Sequence, residues 1–177
     1  MAGLISKRYA NALFEIAVEN KKVKDYYIEL KNAVELITTG VIYQIFKSKS
    51  INKSRKIEFI KEVLNSTDKE VVDFIKVIII KHRENLINDI FEQYESFYKN
   101  YYNMIDAKVI SAYELSADNI EKIKTNLESS LNKKVNIISS VDKSILGGLK
   151  IIIGNRVIDG SVKARLSSLL KNMEQAM

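Results

Sequence analysis

The stretch Ser144–Leu170, SILGGLKIIIGNRVIDGSVKARLSSLL, decides how this chain is read. It holds four of the chain's six glycines, Gly147, Gly148, Gly154 and Gly160. Glycine gathers where a backbone needs positive φ or close approach. Two short β-branched runs, Leu149–Ile153 and Arg156–Ile158, flank Gly154-Asn155, a two-residue turn of the primed kind that joins antiparallel strands. Asp159-Gly160-Ser161 supplies turn residues and a helix N-cap. From Val162 the period changes, and Val162, Leu166, Leu169, Leu170 and Met173 recur at helical spacing. The stretch therefore predicts a glycine kink, a hairpin and a capped helix. Neither G-x-G-x-x-G nor G-x-x-x-x-G-K-[ST] occurs, so the glycines are assigned to shaping a hairpin that packs on its helix rather than to holding phosphate.

Upstream of this stretch the pattern is helical. Residues 5–20 carry two adjacent apolar rows, Ile5, Tyr9, Leu13 and Ala17 beside Ala10, Phe14 and Val18, more than one core face requires. The surplus suits a groove for another helix. A second helix is expected over 23–37, a short third over 41–46 and a fourth over 53–64, ended by Asn65-Ser66. A fifth follows the capping-box match Thr67-x-x-Glu70 and is apolar nearly all round, from Val71 to Ile80. The sixth, over 86–101, is rich in Phe and Tyr at spacings of three and four, which favours packing over stacking on bases. Strand-type residues then run over 105–112, Ser116 caps a helix bearing Ile120, Ile123, Leu127 and Leu131, and 135–140 reads as a second strand. The fold class is α+β: an N-terminal six-helix bundle over 1–103, then a small β/α module with a β-hairpin over 104–177. No Gly/Pro/Ser linker separates them.

Composition removes whole classes of function. Among 177 residues there is no Cys and no Pro. A thiolate metal site, a cysteine nucleophile and a disulfide are all excluded. His82 is the only histidine; it stands between Lys81 and Arg83 with no Cys or second His to complete a metal set. Asp142 and Asp159, which flank the glycine stretch, show no histidine partner for a triad, while carboxylates paired only in space stay open. We assign no catalytic, cofactor-binding or metal-binding residue. The longest purely apolar run is Val77–Ile80, far short of the roughly 20 residues of a membrane span. Arg8 precedes any apolar segment a signal peptide needs. The net charge of +6 is spread evenly over the two halves. Its one local excess, Lys47, Lys49, Lys53, Arg55, Lys56 and Lys61 against Glu58, reads as a solvated helix face; the alternative is a phosphate-gripping edge of a basic helical nucleic-acid-binding factor.

Several pieces, in order, resemble one family. Gly147-Gly148, an apolar strand, Gly154, then Val157-Ile158-Asp159-Gly160-Ser161-Val162 and Arg165-Leu166 are similar to the C-terminal signature of the F-type ATP synthase delta subunit, whose mitochondrial counterpart is the oligomycin-sensitivity-conferring protein. Arg8-Tyr9-Ala10-Asn11-Ala12-Leu13-Phe14 resembles that family's opening helix. Phe74-Ile75 followed by Arg83, and Val109-Ile110-Ser111-Ala112, fall between them in the family's order. Asn155 stands where members often have Asp, a change the turn tolerates. The resemblance implies a non-catalytic stator subunit, one copy per complex. Its helical bundle would hold the N-terminal segment of an α subunit, and its C-terminal module the end of a b-type peripheral stalk, so that ion-driven rotation yields ATP. It implies a place at the cytoplasmic face of a bacterial membrane, peripheral through partners. The family's head contact maps onto Tyr9, Ala10, Leu13, Phe14 and Ala17, with Phe74, Ile75 and Ile78 opposite. Gly147, Gly148, Gly154, Asp159, Gly160 and Ser161 map onto its structural turn and cap.

Overall fold

The computed structural model describes residues 2–48, 50–65 and 67–175. Lys49 of the basic run and Ser66 of the Asn65-Ser66 break lie outside the described residues. The described residues form eight α-helices and one four-stranded sheet, an α+β protein. The chain divides into two compact units, Met1–Lys99 and Asn100–Met177.

The first unit is helical: α1 (Ala2–Glu19), α2 (Val23–Ile37), α3 (Gly40–Lys47), α4 (Lys53–Val63), α5 (Lys69–Ile80), a 3-10 turn at Glu84–Leu86, and α6 (Ile87–Tyr101), whose last turn crosses into the second unit. The longer helices of this unit each bury residues at three-four spacing, as amphipathic elements must, while the short α3 buries Phe46 alone. In α1 the stripe is Ser6, Ala10, Leu13 and Ala17; in α5 it is Val71, Val72, Ile75, Ile78 and Ile79. The aromatics of α6 are packing residues. Tyr27 of α2 stacks on Tyr98 at 4.1 Å and Phe91 at 6.0 Å, and its hydroxyl donates to Glu95 Oε1 at 2.9 Å. The capping box at the start of α5 does not form. Asp68, not Thr67, is the N-cap, and its carboxylate turns away from the helix to the Lys22 ammonium at 3.0 Å.

The basic face of α4 is not simply solvated. Lys56 is buried, and its ammonium donates to the Phe46 carbonyl at 2.8 Å and to Glu84 Oε1 at 3.0 Å. The two side chains are only 5% and 10% exposed. Lys53 donates to the Ile80 carbonyl at 3.0 Å. Two lysines of one helix thus satisfy carbonyls in the last turns of α3 and α5, the groups that helix C-termini leave without partners.

The second unit contains β1 (Met104–Ser111), α7 (Ala117–Leu131), β2 (Lys134–Val141), a 3-10 turn at Lys143–Ile145, β3 (Leu149–Ile153), β4 (Arg156–Asp159) and α8 (Val162–Gln175). The sheet order is β2-β1-β3-β4. β1 and β2 are parallel, with Ala107 opposite Ile137, so they need a crossover, and α7 is that crossover. β3 pairs antiparallel with β1 and with β4. The core forms on one sheet face, where Ala107, Val135 and Ile153 are covered by Leu127 and Leu131 of α7. The β3–β4 turn is Gly154-Asn155, with φ +54° at the glycine only. That is the sign pattern of a primed turn with glycine in its first central place. Gly148, at φ +77°, lies so near the β4–α8 corner that an added Cβ would stand 2.3 Å from the Gly160 carbonyl oxygen.

Two stability outcomes follow. Lys56→Met strands Glu84 in the interior and should cost about 3–5 kcal/mol in urea unfolding, with much of it recovered in the Lys56→Met/Glu84→Leu double variant. Gly154→Ala faces open space and should cost only the backbone term of about 1–2 kcal/mol. Gly148→Ala adds a collision with a fixed carbonyl. It should cost clearly more, read as lost hydrogen-exchange protection in β3; equal losses at the two sites would contradict this packing.

Candidate functional site

The eight positions mapped onto the head contact sort into two groups. Ala10, Leu13, Ala17, Ile75 and Ile78 are at most 1% exposed and belong to the interior of the helical unit. They hold α1 and α5 in place. Tyr9, Phe14 and Phe74 are half-buried and reach the surface. Tyr9 and Phe74 meet edge to face at 6.5 Å, which sets the α1–α5 boundary. Phe14 faces α6 instead, against Tyr94 at 5.8 Å and Phe97 at 5.7 Å.

Beside the Tyr9–Phe74 pair lies a depression of about 420 Å³ lined by Ile5, Arg8, Tyr9, Ala12 and Arg83. A second, of about 420 Å³, lies along the other flank of α1 and is lined by Leu4, Lys7, Arg8, Asn11, Ala12, Glu15 and Phe97. Ile5, Tyr9, Ala12 and Ile16 run along α1 at three-four spacing, and Ile16 is exposed. On α5, Val77 and Ile80 are exposed as well. The surface is therefore an apolar furrow with a small residue in its floor and guanidinium groups on its rim, a shape that suits a packed helix. Arg8 and Arg83 were missed by periodicity, which names apolar stripes and not the cations beside them, and Ile5 and Ala12, though apolar, fall outside the mapped contact.

The second unit carries its own apolar surface. Ser161 caps α8, its Oγ accepting from the Ala164 N–H at 3.1 Å. Asp159 Oδ1 accepts from the Ser161 N–H at 3.0 Å. Hydrogen bonding from Ser161 holds the Asp159 carboxyl below the usual carboxylate range. The Val162 N–H donates to the Gly147 carbonyl at 3.0 Å, and the Gly160 N–H to that of Leu149 at 2.9 Å. The glycine stretch thus anchors the start of α8 and leaves its apolar stripe outward. Val162, Leu166, Leu169, Leu170 and Met173 are 43–66% exposed.

Residues 5–173 match the family model described as ATP synthase delta (OSCP) subunit. The chain belongs to the ATP synthase delta (OSCP) subunit family. ATP synthase subunit delta of Caldanaerobacter subterraneus subsp. tengcongensis is 55% identical over the whole of both chains. Subunit delta of Clostridioides difficile is 32% identical over 100% of this chain and 99% of its own. The fold matches a chain of the Toxoplasma gondii mitochondrial ATP synthase hexamer with a TM-score of 0.71 over 95% of this chain and 96% of that one, at 16% identity. As a delta subunit the chain is a stator component of F-type ATP synthase, structural and not catalytic. The nucleic-acid alternative finds no support, and the structure commits Lys53 and Lys56 of its basic edge to neighbouring helix ends. Among the described residues no helix is long and apolar enough to cross a membrane, in keeping with a delta subunit attached peripherally to a membrane-bound complex.

The burial pattern separates support from surface. Ile75→Ala should lower unfolding stability by about 2–5 kcal/mol. Tyr9→Ala, at the half-exposed rim, should lower it by only about 1 kcal/mol. Denaturant titrations of both variants check this, and a Tyr9 cost equal to that of Ile75 would place Tyr9 in the core.

Proposed function

We propose that this delta subunit bridges the catalytic head and the peripheral stalk through two separate apolar surfaces. The helical part, residues 1–103, acts as a six-helix bundle. It holds the N-terminal segment of the α subunit in the furrow beside α1 and α5, with Tyr9, Phe74, Ile5 and Ala12 as the lining and the buried Ala10, Leu13, Ala17, Ile75 and Ile78 as its support. Residues 104–177 hold the C-terminal end of a b-type subunit along the exposed stripe of α8. The complex sits at the cytoplasmic face of a bacterial membrane, and the subunit reaches that membrane only through its partners. By holding the head against the stalk it keeps the head from turning with the rotor, so rotation yields ATP.

The observation that supports this reading best is that each compact unit leaves a continuous apolar surface of helical spacing outward, on α1 in one and on α8 in the other. Scattered apolar side chains are ordinary on a surface, but contiguous stripes mark docking sites.

The test uses the intact chain. A peptide of the α subunit's N-terminal segment is titrated calorimetrically into the wild type and into Tyr9→Ala, Phe74→Ala and Leu169→Asp/Leu170→Asp. Loss of an aromatic anchor costs about 2 kcal/mol, so the two α1–α5 variants should bind roughly 30-fold more weakly. The α8 variant should bind this peptide normally and fail to capture the b-type subunit. A reversed pattern, or none, would overturn the assignment of surfaces.

A further inference from the structure

We infer that the furrow beside α1 selects its occupant by charge as well as by shape: the bound segment is an amphipathic helix that sets carboxylates against Arg8 and Arg83 while its apolar side chains cover Ile5, Tyr9 and Ala12. This rests on the reading that the furrow holds the α-subunit segment, and it adds which chemistry that segment must carry.

Arg8 stands between Ile5 and Ala12 on α1, one helical turn from each. Arg83 comes from the turn that follows α5, where its N–H donates to the Ile78 carbonyl at 2.9 Å. Both line the same depression, and no carboxylate lines it with them. Among the described residues neither guanidinium makes an ion pair or a side-chain hydrogen bond. The nearby acids are engaged elsewhere. Glu84, next in sequence to Arg83, is paired with Lys56, and Glu15 accepts from Asn11 Nδ2 at 2.6 Å. Asp73 on α5 is paired with Lys76. The fold thus leaves two exposed cations without a carboxylate partner beside an apolar wall, and a helix that covers the wall takes them out of water and strengthens their attraction for an opposite charge. Guanidinium is the group that grips a carboxylate bidentately. Ala12, small and exposed between the two depressions, lets an approaching helix backbone come close.

The experiment compares two synthetic peptides of the α subunit's N-terminal segment from the same synthase: one with its native Asp and Glu, one with every Asp changed to Asn and every Glu to Gln. Each is titrated into the intact chain and into Arg8→Ala, Arg83→Ala, Arg8→Lys and Tyr9→Ala, at low and high salt. Arg8→Ala and Arg83→Ala should each weaken the acidic peptide about tenfold and leave the amide peptide unchanged. Arg8→Lys should restore only part of the loss, and added salt should weaken the acidic peptide alone. If Tyr9→Ala impairs binding while the arginine variants do not, the charge inference is overturned and the furrow reading stands. If the intact chain binds neither peptide, the furrow reading falls and this inference falls with it.

Discussion

The ammonium of Lys56 is the point on which the helical unit turns. It is taken out of water and held between the Phe46 carbonyl and Glu84, so one buried cation joins the end of α3, the body of α4 and the turn between α5 and α6. Burying a charge is costly unless its partners are close and its donors used. The consequence reaches the proposed docking surface. Glu84 is fixed by the pair, and its neighbour Arg83 is held by its own N–H on Ile78 and by its carbonyl, which accepts from the Leu86 N–H at 2.9 Å. The edge of the furrow is therefore set from inside the molecule, by a lysine that never touches it.

α1 shows how one helix can serve core and surface together. Small Ala10 and Ala17 are wholly enclosed and let neighbouring helices approach. The adjacent row, from Ile5 through Tyr9 and Ala12 to Ile16, stays partly or fully open. A residue of moderate size in the inner row and an aromatic at the boundary are enough to separate the two roles. α5 repeats the division, with Ile75 and Ile78 inside and Val77 and Ile80 outside.

Elements with a strong period were legible in the amino-acid sequence: the helices, the hairpin around Gly154-Asn155 and the cap at Ser161 all carry local signals. What was not legible depends on distant partners. Nothing in the run around Lys56 distinguishes it from Arg55 until Glu84 and Phe46 arrive from other elements. The Thr67-x-x-Glu70 pattern looked like a capping box, but Lys22, which is remote in sequence, draws Asp68 into a different arrangement. The furrow was half legible. The excess apolar width of α1 announced a second surface, while the division of Tyr9 from Leu13 needed the position of α5. The period of α8 was legible, but the outward position of its stripe was not, because period reports amphipathicity and not what lies opposite.

β4 occupies one end of the sheet order and is only four residues long. Its ends are charged, Arg156 at one and Asp159 at the other, and all four residues are exposed. An open strand edge is a template for pairing with further chains, and brevity and charge are the usual protections. Asp159 is also the residue whose carboxylate holds the Ser161 N–H at the start of α8. One side chain therefore both begins the last helix and places a charge at the end of the β4 edge, so the residue that orients α8 also makes that edge a poor template for a further strand.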